Sequence, residues 1–514
     1  MKSSDVLVIG AGHNGLAAAA MLARSGRKVT VLEAGERAGG LAARVEFAQG
    51  FEAPMAPFLY RLSETVISAL DLRRHGLSTS GPAPTIALAG ETGPIIMEGA
   101  FGETLDGCAP GEAAAFRDLR KRLLLQASIL KRFDTETPVQ PGNAGLGKKA
   151  AIARAAIALR MKGTEEFREM LRMALMCVSD VLDEHLSDER LKGLLAFDAT
   201  LGHRLGPRSP TSLLGLYPRL AGEAERMQGA QLVDSPAGIT NAFEASARSA
   251  GVIIRFCARV ARIDMTPQGT AGVTLESGET LVCDTVVSAI SPHDTFGKLV
   301  SPRFVDAGFA GEVARLRFKG NVSKLFLALS EMPASPSIRH PLANARLVHA
   351  PSVRYVEESF NAQKYGELPS APPFECAVEP ASSGTHAAIV SVTIANTAHD
   401  LKMGWNDARP MLQDAVVSTL EESFPGLRRS IVASTLWAPP DIAERCNVAG
   451  GHWHHHDLHA DRLYALRPVF GVADYRSPVE GLWLCGAGSH PGGGVCGLAG
   501  FNAAREIIAG GGAR

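Results

Sequence analysis

The chain has 514 residues, with 52 lysines and arginines against 53 aspartates and glutamates. That length is enough for two or three domains and a large buried core, while the balanced charge gives no sign of a nucleic-acid partner or an acidic substrate. Eight cysteines without Cys-x-x-Cys spacing fit a reducing compartment, and no apolar run approaches the ~20 residues that span a bilayer. Met1–Asp5 enters the first apolar segment at once, so the sequence predicts no signal peptide and a cytoplasmic protein.

Val6-Leu7-Val8-Ile9 reads as a buried strand, followed by Gly10, Gly12, His13, Asn14 and Gly15 and an alanine-rich helix from Asn14 to about Ser25. Gly10 permits the turn, Gly12 lets backbone approach a pyrophosphate, and Gly15 brings helix against strand. The helix N-terminus aims its N–H groups at the phosphates. Val29–Leu32 is the second strand. Glu33 follows about 20 residues beyond the glycines, where an acid accepts ribose hydroxyls. Ala34, Arg37, Gly39, Gly40 and Leu41 come next; the glycine pair lets the chain fold back over a long cofactor, which favours FAD over NAD, and Arg37 is either a neighbour of the cofactor or a solvated surface charge.

Pro110 to about Arg132 has helical apolar spacing, and Thr137–Asn143 reads as a loop. Lys148, Lys149, Arg154, Arg160 and Lys162 decorate an apolar helix. It is either a surface or subunit-contact helix, the favoured reading, or a peripheral contact with an anionic membrane. Gly202–Tyr217 is expected to be a loop at the substrate cavity. Val252–Phe256 and Ala258–Ile263 read as a strand pair, with the backbone near Val260 placed to meet adenine. Gly272–Glu276 and Glu279–Val282 form a hairpin about Ser277-Gly278, and Thr285–Ile290 is a buried strand. Further strands are expected at Asn321–Leu329 and Ile389–Ile394, and a helix over Asp407–Phe424.

The C-terminal run Gly481–Val495 repeats the glycine-rich theme and leads into a helix ending near Ile508. Gly486, Gly494 and Val495 are assigned to the cofactor, with the helix N-terminus placed near Gly494 and Val495 to stabilise negative charge on a flavin. His452, His454, His455, His456 and His459 line a cavity or adjoin the cofactor, or are ordinary loop histidines; the pattern does not favour a metal. His490 is a candidate proton donor or acceptor, or else a side chain that fixes its own loop. Lys324 is a candidate catalytic residue if its strand faces the cavity, the alternative being a lysine that snorkels to solvent.

With Gly10–Gly40, Leu194–Asp198, Val322–Leu329, Gly450–His454, Leu463–Pro468 and the C-terminal motif together, the chain resembles the phytoene-desaturase-like branch of the FAD-dependent amine oxidase superfamily. Within it, the chain is similar to the pyridine nucleotide-disulfide oxidoreductase domain-containing subgroup. The resemblance implies an α/β fold with a Rossmann-like FAD domain from discontinuous segments (1–70, 235–300 and 450–514). It also implies an α+β substrate domain (71–234 and 301–449) with a mixed sheet and a helical part near 110–190. It further implies an oxidoreductase that exchanges hydride with a hydrophobic small molecule and passes electrons to oxygen or a quinone; a homodimer is the assembly expected from size and family. Glu52–Pro57 and Pro236–Ile239 depart from the desaturase pattern, which argues against a carotenoid substrate. A flavin-dependent isomerase or saturase, and a non-catalytic flavin-binding protein, are the rival readings.

Overall fold

The computed structural model describes residues 4–79, 81–88, 93–99, 101–139, 157, 163–223, 238–343, 345–381 and 387–510. The expected loop over Thr137–Asn143 is therefore described only through residue 139. The basic stretch between Lys148 and Lys162, apart from residue 157, and the pair Pro236-Ala237 lie outside the described residues.

Val6–Ile9 is buried throughout because parallel strands flank it, Val286–Ser288 on one side and Val29–Leu32 on the other. Leu482–Leu484 and Ile253–Arg255 extend this sheet to five parallel strands. Parallel sheets need cover on both faces, and the alternation of side chains supplies it. Val6 and Val8 face a core shared with the helices His13–Arg24, Gly238–Ser249 and Leu498–Gly510. Leu7 and Ile9 face the opposite core, shared with the antiparallel sheet of Val260–Thr266, Gly269–Leu275 and Thr280–Val282. The result is a Rossmann-like unit assembled from stretches far apart in sequence.

A second sheet has eight strands, ordered Ile431–Trp437, Ser323–Leu329, Ala388–Ile394, Phe374–Pro380, Arg346–His349, Thr85–Ala87, Ile95–Glu98 and Thr104–Asp106. Its neighbours are antiparallel except Arg346–His349 against Thr85–Ala87, so the sheet is mixed. Leu325, Leu327 and Leu329 pack with Leu412, Val416 and Leu420 of the helix Trp405–Ser423. Phe326 and Ala328 point the other way, toward Phe47 and Met55 and so toward the nucleotide-binding unit. Helices Pro110–Leu130, Val178–His185, Glu189–Thr200 and Leu216–Glu223 share a third core.

Three expectations need correction. Val252–Phe256 and Ala258–Ile263 are not a strand pair: Ile253–Arg255 joins the parallel sheet beside Val29–Leu32, and Val260–Thr266 joins the antiparallel one. Cys257, with φ of 52°, turns the chain between them. The C-terminal helix begins at Leu498 rather than near Gly494, because Gly494 (φ 97°) and Gly497 (φ 70°) hold left-handed conformations that no helix continues through. Gly202–Tyr217 is not wholly loop, since a 3-10 turn over Ser212–Gly215 runs into the helix Leu216–Glu223.

Candidate active site

The C-terminal ends of Val6–Ile9 and Leu482–Leu484 bring the two glycine-rich segments to one edge of the parallel sheet, the edge at which such sheets bind ligands. A Cβ on Gly15 would lie 2.1 Å from the Gly10 carbonyl oxygen, so the first helix can approach its strand only with glycine there. A Cβ on Gly12 would meet nothing within 4 Å, which leaves open space where a phosphate would approach the backbone. Gly39 donates its N–H to the Ala11 carbonyl, and Gly40 lies across from the Gly12 Cα, so the glycine pair folds back as expected. The Glu33 carboxylate accepts from the Ala11 N–H (2.7 Å) and the Gly35 N–H (2.8 Å), which fixes it at the end of its strand. The Ala258 N–H bonds the Glu33 carbonyl, and this brings the segment before Val260 beside the same turn. Arg37 instead points outward and pairs with Glu52 at 3.2 Å.

The His13 ring meets the backbone of Gly494, a direct contact between the two termini of the motif. Burial holds this imidazole neutral, its pKa pulled down to about 4. The His13 Nε2 and the Asn14 Oδ1 are shut off from solvent and have no hydrogen-bond partner among the described residues. Unsatisfied buried polar atoms are costly. Two such atoms at a helix N-terminus, beside the open face of Gly12, fit a dinucleotide cofactor there.

The histidine-rich loop braces the C-terminal motif. Arg467 is fully buried and donates to the carbonyls of His454 (2.7 Å), Asp457 (3.1 Å) and Ala487 (2.7 Å). The His455 Nδ1 accepts from the Gly488 N–H, and His456 bonds the Gly488 carbonyl. The His452 Nε2 pairs with Asp457 at 3.0 Å, and Asp457 is bound in turn by Arg317. His454 covers Gly493 so closely that a Cβ there would collide with its ring, and it stacks on His203 at 5.5 Å. Among the described residues no cluster of three or more His, Cys, Asp or Glu side chains is arranged to hold a metal.

Beside the motif opens a cavity of about 1300 Å³, its open mouth included. Its walls are largely apolar, with Leu41, Met55, Phe58 and Ile442 among them, and His13 and Gly493–Val495 form one side. On the other side a polar row crosses the second sheet. Lys324, Thr393 and Glu375 sit directly opposite one another on adjacent strands, and Arg346 follows on the next. Arg346 has no exposure; it binds Glu375 at 2.7 Å and Asp198 at 2.6 Å. Arg219 also binds Asp198, at 2.9 Å, and its guanidinium lies 4.2 Å from the Tyr60 ring centre. The Tyr60 hydroxyl donates to Glu375. Although burial pushes the Glu375 carboxyl up, the Arg346 guanidinium prevails and holds it ionised.

Lys324 lines this cavity and is only 1% exposed, so it does not snorkel. His490 is not among the cavity's lining residues. Its Nε2 is bonded to the Phe133 carbonyl at 2.8 Å, which anchors its loop, and it faces an adjoining pocket. Burial lowers its pKa to about 4. Reading the sequence alone missed Tyr60, Arg219, Arg346, Glu375 and Thr393. The available signal was polar residues breaking otherwise apolar strands, as in Phe374-Glu375-Cys376 and Val392-Thr393-Ile394.

A flavin containing amine oxidoreductase family model matches residues 15–508. The chain belongs to that family. It is an FAD-dependent oxidoreductase. The mouse pyridine nucleotide-disulfide oxidoreductase domain-containing protein 2 is 30% identical over 98% of this chain and 93% of its own. A lycopene-forming phytoene desaturase from Paracoccus is 24% identical over 47% of each chain. Among solved structures, the fold is similar to cyclohexylamine oxidase from Brevibacterium oxydans (TM-score 0.59, 17% identity, 99% of this chain and 98% of that one). No helix among the described residues of this flavin oxidoreductase is long and apolar enough to cross a membrane.

Proposed function

We propose that this flavoenzyme removes hydride from a largely hydrophobic small molecule bound in the cavity between the glycine motifs and the second sheet. The observation that carries this reading is the shared wall: His13, Leu41 and Gly493–Val495 line the same space as Lys324 and Thr393. When bound, FAD supplies the two-electron acceptor. The chain's own part is to position, to exclude water and to hold charge. The apolar walls take the body of the substrate and keep water from it. Glu33 and the backbone about Gly12 would hold the ribose and pyrophosphate, with the turn before Val260 beside the same site. The Gly494 and Val495 backbone, which lines the cavity, would be the part of the C-terminal motif that meets the flavin. Lys324 is one of the cations that line the cavity and holds a proton at Nζ. We assign His490 to fixing the loop rather than to proton transfer, since its Nε2 is already engaged.

The reading is tested by mixing the purified flavoprotein anaerobically with a panel of hydrophobic alcohols, acids, amines and alkenes. Bleaching of the oxidised flavin spectrum by one class supports it. A protein that carries FAD which no compound bleaches, yet converts one of them without net oxidation, would replace it with an isomerase.

A further inference from the structure

A second chamber of about 1100 Å³, its open mouth included, adjoins the cavity beside the cofactor motif. The two share Arg61, His203, Gly215, Pro218 and Leu458 as walls, so these residues lie where one opens toward the other. Gly215 offers only backbone there. A Cβ on it would lie 1.9 Å from the Ala199 carbonyl oxygen, because the 3-10 turn Ser212–Gly215 packs directly on the helix Glu189–Thr200. His203 stacks on His454, and burial holds its ring neutral. Arg61 is paired with Asp134 at 2.6 Å, so its charge is met within the wall. An uncharged chain can therefore pass between the chambers without separating a charge from its partner.

The walls of the second chamber are mostly carbon. Leu130, Phe133, Leu214, Ala221 and Leu463 line it, supplied by the end of the helix Pro110–Leu130, the helix Leu216–Glu223 with the turn before it, and the loop that follows the histidine cluster. The polar groups that reach it are engaged within the protein. The Tyr217 hydroxyl donates to the Gln126 side-chain oxygen, the His490 Nε2 is bonded to the Phe133 carbonyl, and Asp134 takes Arg61. The other charged side chain of its lining, Lys131, is partly exposed. Walls of this kind favour carbon, since a polar group that enters gives up water and gains few partners.

We propose that the second chamber is a subsite for the far end of the substrate: an uncharged, slender alkyl arm that passes His203 and Leu458 while the reacting bond stays beside Gly493–Val495. This rests on the hydride-removing reading above and deepens it. The enzyme selects long substrates with an apolar arm, and Leu463 sets how long the arm can be. Leu463 is half-buried and lines the second chamber but not the first, so its side chain meets the arm without touching the cavity that holds the reacting bond. A compact substrate would fill the first cavity alone and gain nothing from these walls.

The test uses two homologous series of uncharged ligands, straight-chain primary alcohols from butanol to dodecanol and the methyl esters of the matching fatty acids. Binding to the oxidised holoprotein is read by calorimetry and by perturbation of the flavin spectrum. Affinity is expected to rise about two- to fourfold per methylene through the longest members. Leu463→Trp, which fills the second chamber, is expected to leave the shortest members unchanged and to end that rise early, so that the longest bind at least about tenfold more weakly than in the natural protein. Leu463→Ala, which keeps the space open, is expected to retain the rise. A melting temperature for each variant confirms that it is folded. A series that levels off at the same length in the natural protein and in folded Leu463→Trp would overturn the proposal, as would binding of neither series. So would a Leu463→Trp that weakens short and long members alike, which would make the chamber a passage rather than a subsite. Loss of the flavin reading is a separate result: it appears as protein without a flavin spectrum, whatever calorimetry shows for the two series.

Discussion

Two glycines in the first turn separate packing from cofactor binding. Gly15→Ala places a methyl group 2.1 Å from a backbone oxygen, and overpacking of this kind costs about 1–3 kcal/mol. Gly12 has φ of −70°, which any residue adopts, and open space at its Cβ position. Gly12→Ala is therefore expected to leave the melting temperature of the apoprotein almost unchanged while FAD affinity falls roughly tenfold or more. Calorimetric melting of the apoprotein and FAD titration separate the two effects. If Gly12→Ala bound FAD as the natural protein does, the pyrophosphate would lie elsewhere. Lys324 gives a second prediction at this scale. Its folded pKa of about 8 lies below the ordinary value of 10.5. Between those values the unfolded chain holds a proton that the folded chain has released, so stability rises with pH across that window. Chemical denaturation from pH 8 to 10.5 is expected to show a rise, of about 2–3 kcal/mol at most, that Lys324→Met lacks.

At the scale of elements, the polar row across the second sheet behaves as a unit. Asp198 projects from the helix Glu189–Thr200 onto two arginines from other elements. Asp198→Asn removes the carboxylate that the two guanidiniums share, while Arg346 keeps Glu375, and is expected to cost about 3–5 kcal/mol, read by denaturant unfolding. A loss below about 1 kcal/mol would show that solvent reaches the pair. This row also marks where sequence reading stopped. The first strand, helix and second strand could be read within a residue or two, because apolar run, glycine spacing and acid all act locally. So could the hairpin at Ser277-Gly278 and the helix that starts near Asp407. Lys324, Thr393, Glu375 and Arg346 come from four strands and meet only through sheet register, which no local pattern encodes. The strand pair expected at Val252–Ile263 failed for a related reason. Both segments have strand periodicity, but Cys257 sends them to different sheets. The helix start failed because the glycine run was read as a helix cap, whereas its left-handed residues form a loop of their own.

The whole molecule closes a cofactor site by bringing its two termini together, and buried histidines hold that closure. His13, His203 and His490 are lowered by burial to about 4, and His455 to about 3. An imidazole whose folded pKa lies below the free value of 6.5 lets the unfolded chain bind protons that the folded chain refuses. Its stability is whole above pH 6.5 and falls as pH drops toward 4, at about 1.4 kcal/mol per pH unit for each such histidine. Acid is therefore expected to unfold the protein and release its cofactor together between about pH 6 and 4, with net proton uptake on unfolding. Flavin release well above that range, with the fold intact, would separate the histidine loop from the cofactor site. The most direct measurement of the central claim is the flavin content of the purified protein, from its visible spectrum and from identification of the nucleotide released on denaturation. The account predicts one FAD per chain, held without a covalent bond. A protein that carries no flavin, and takes up none when FAD is added, would contradict it.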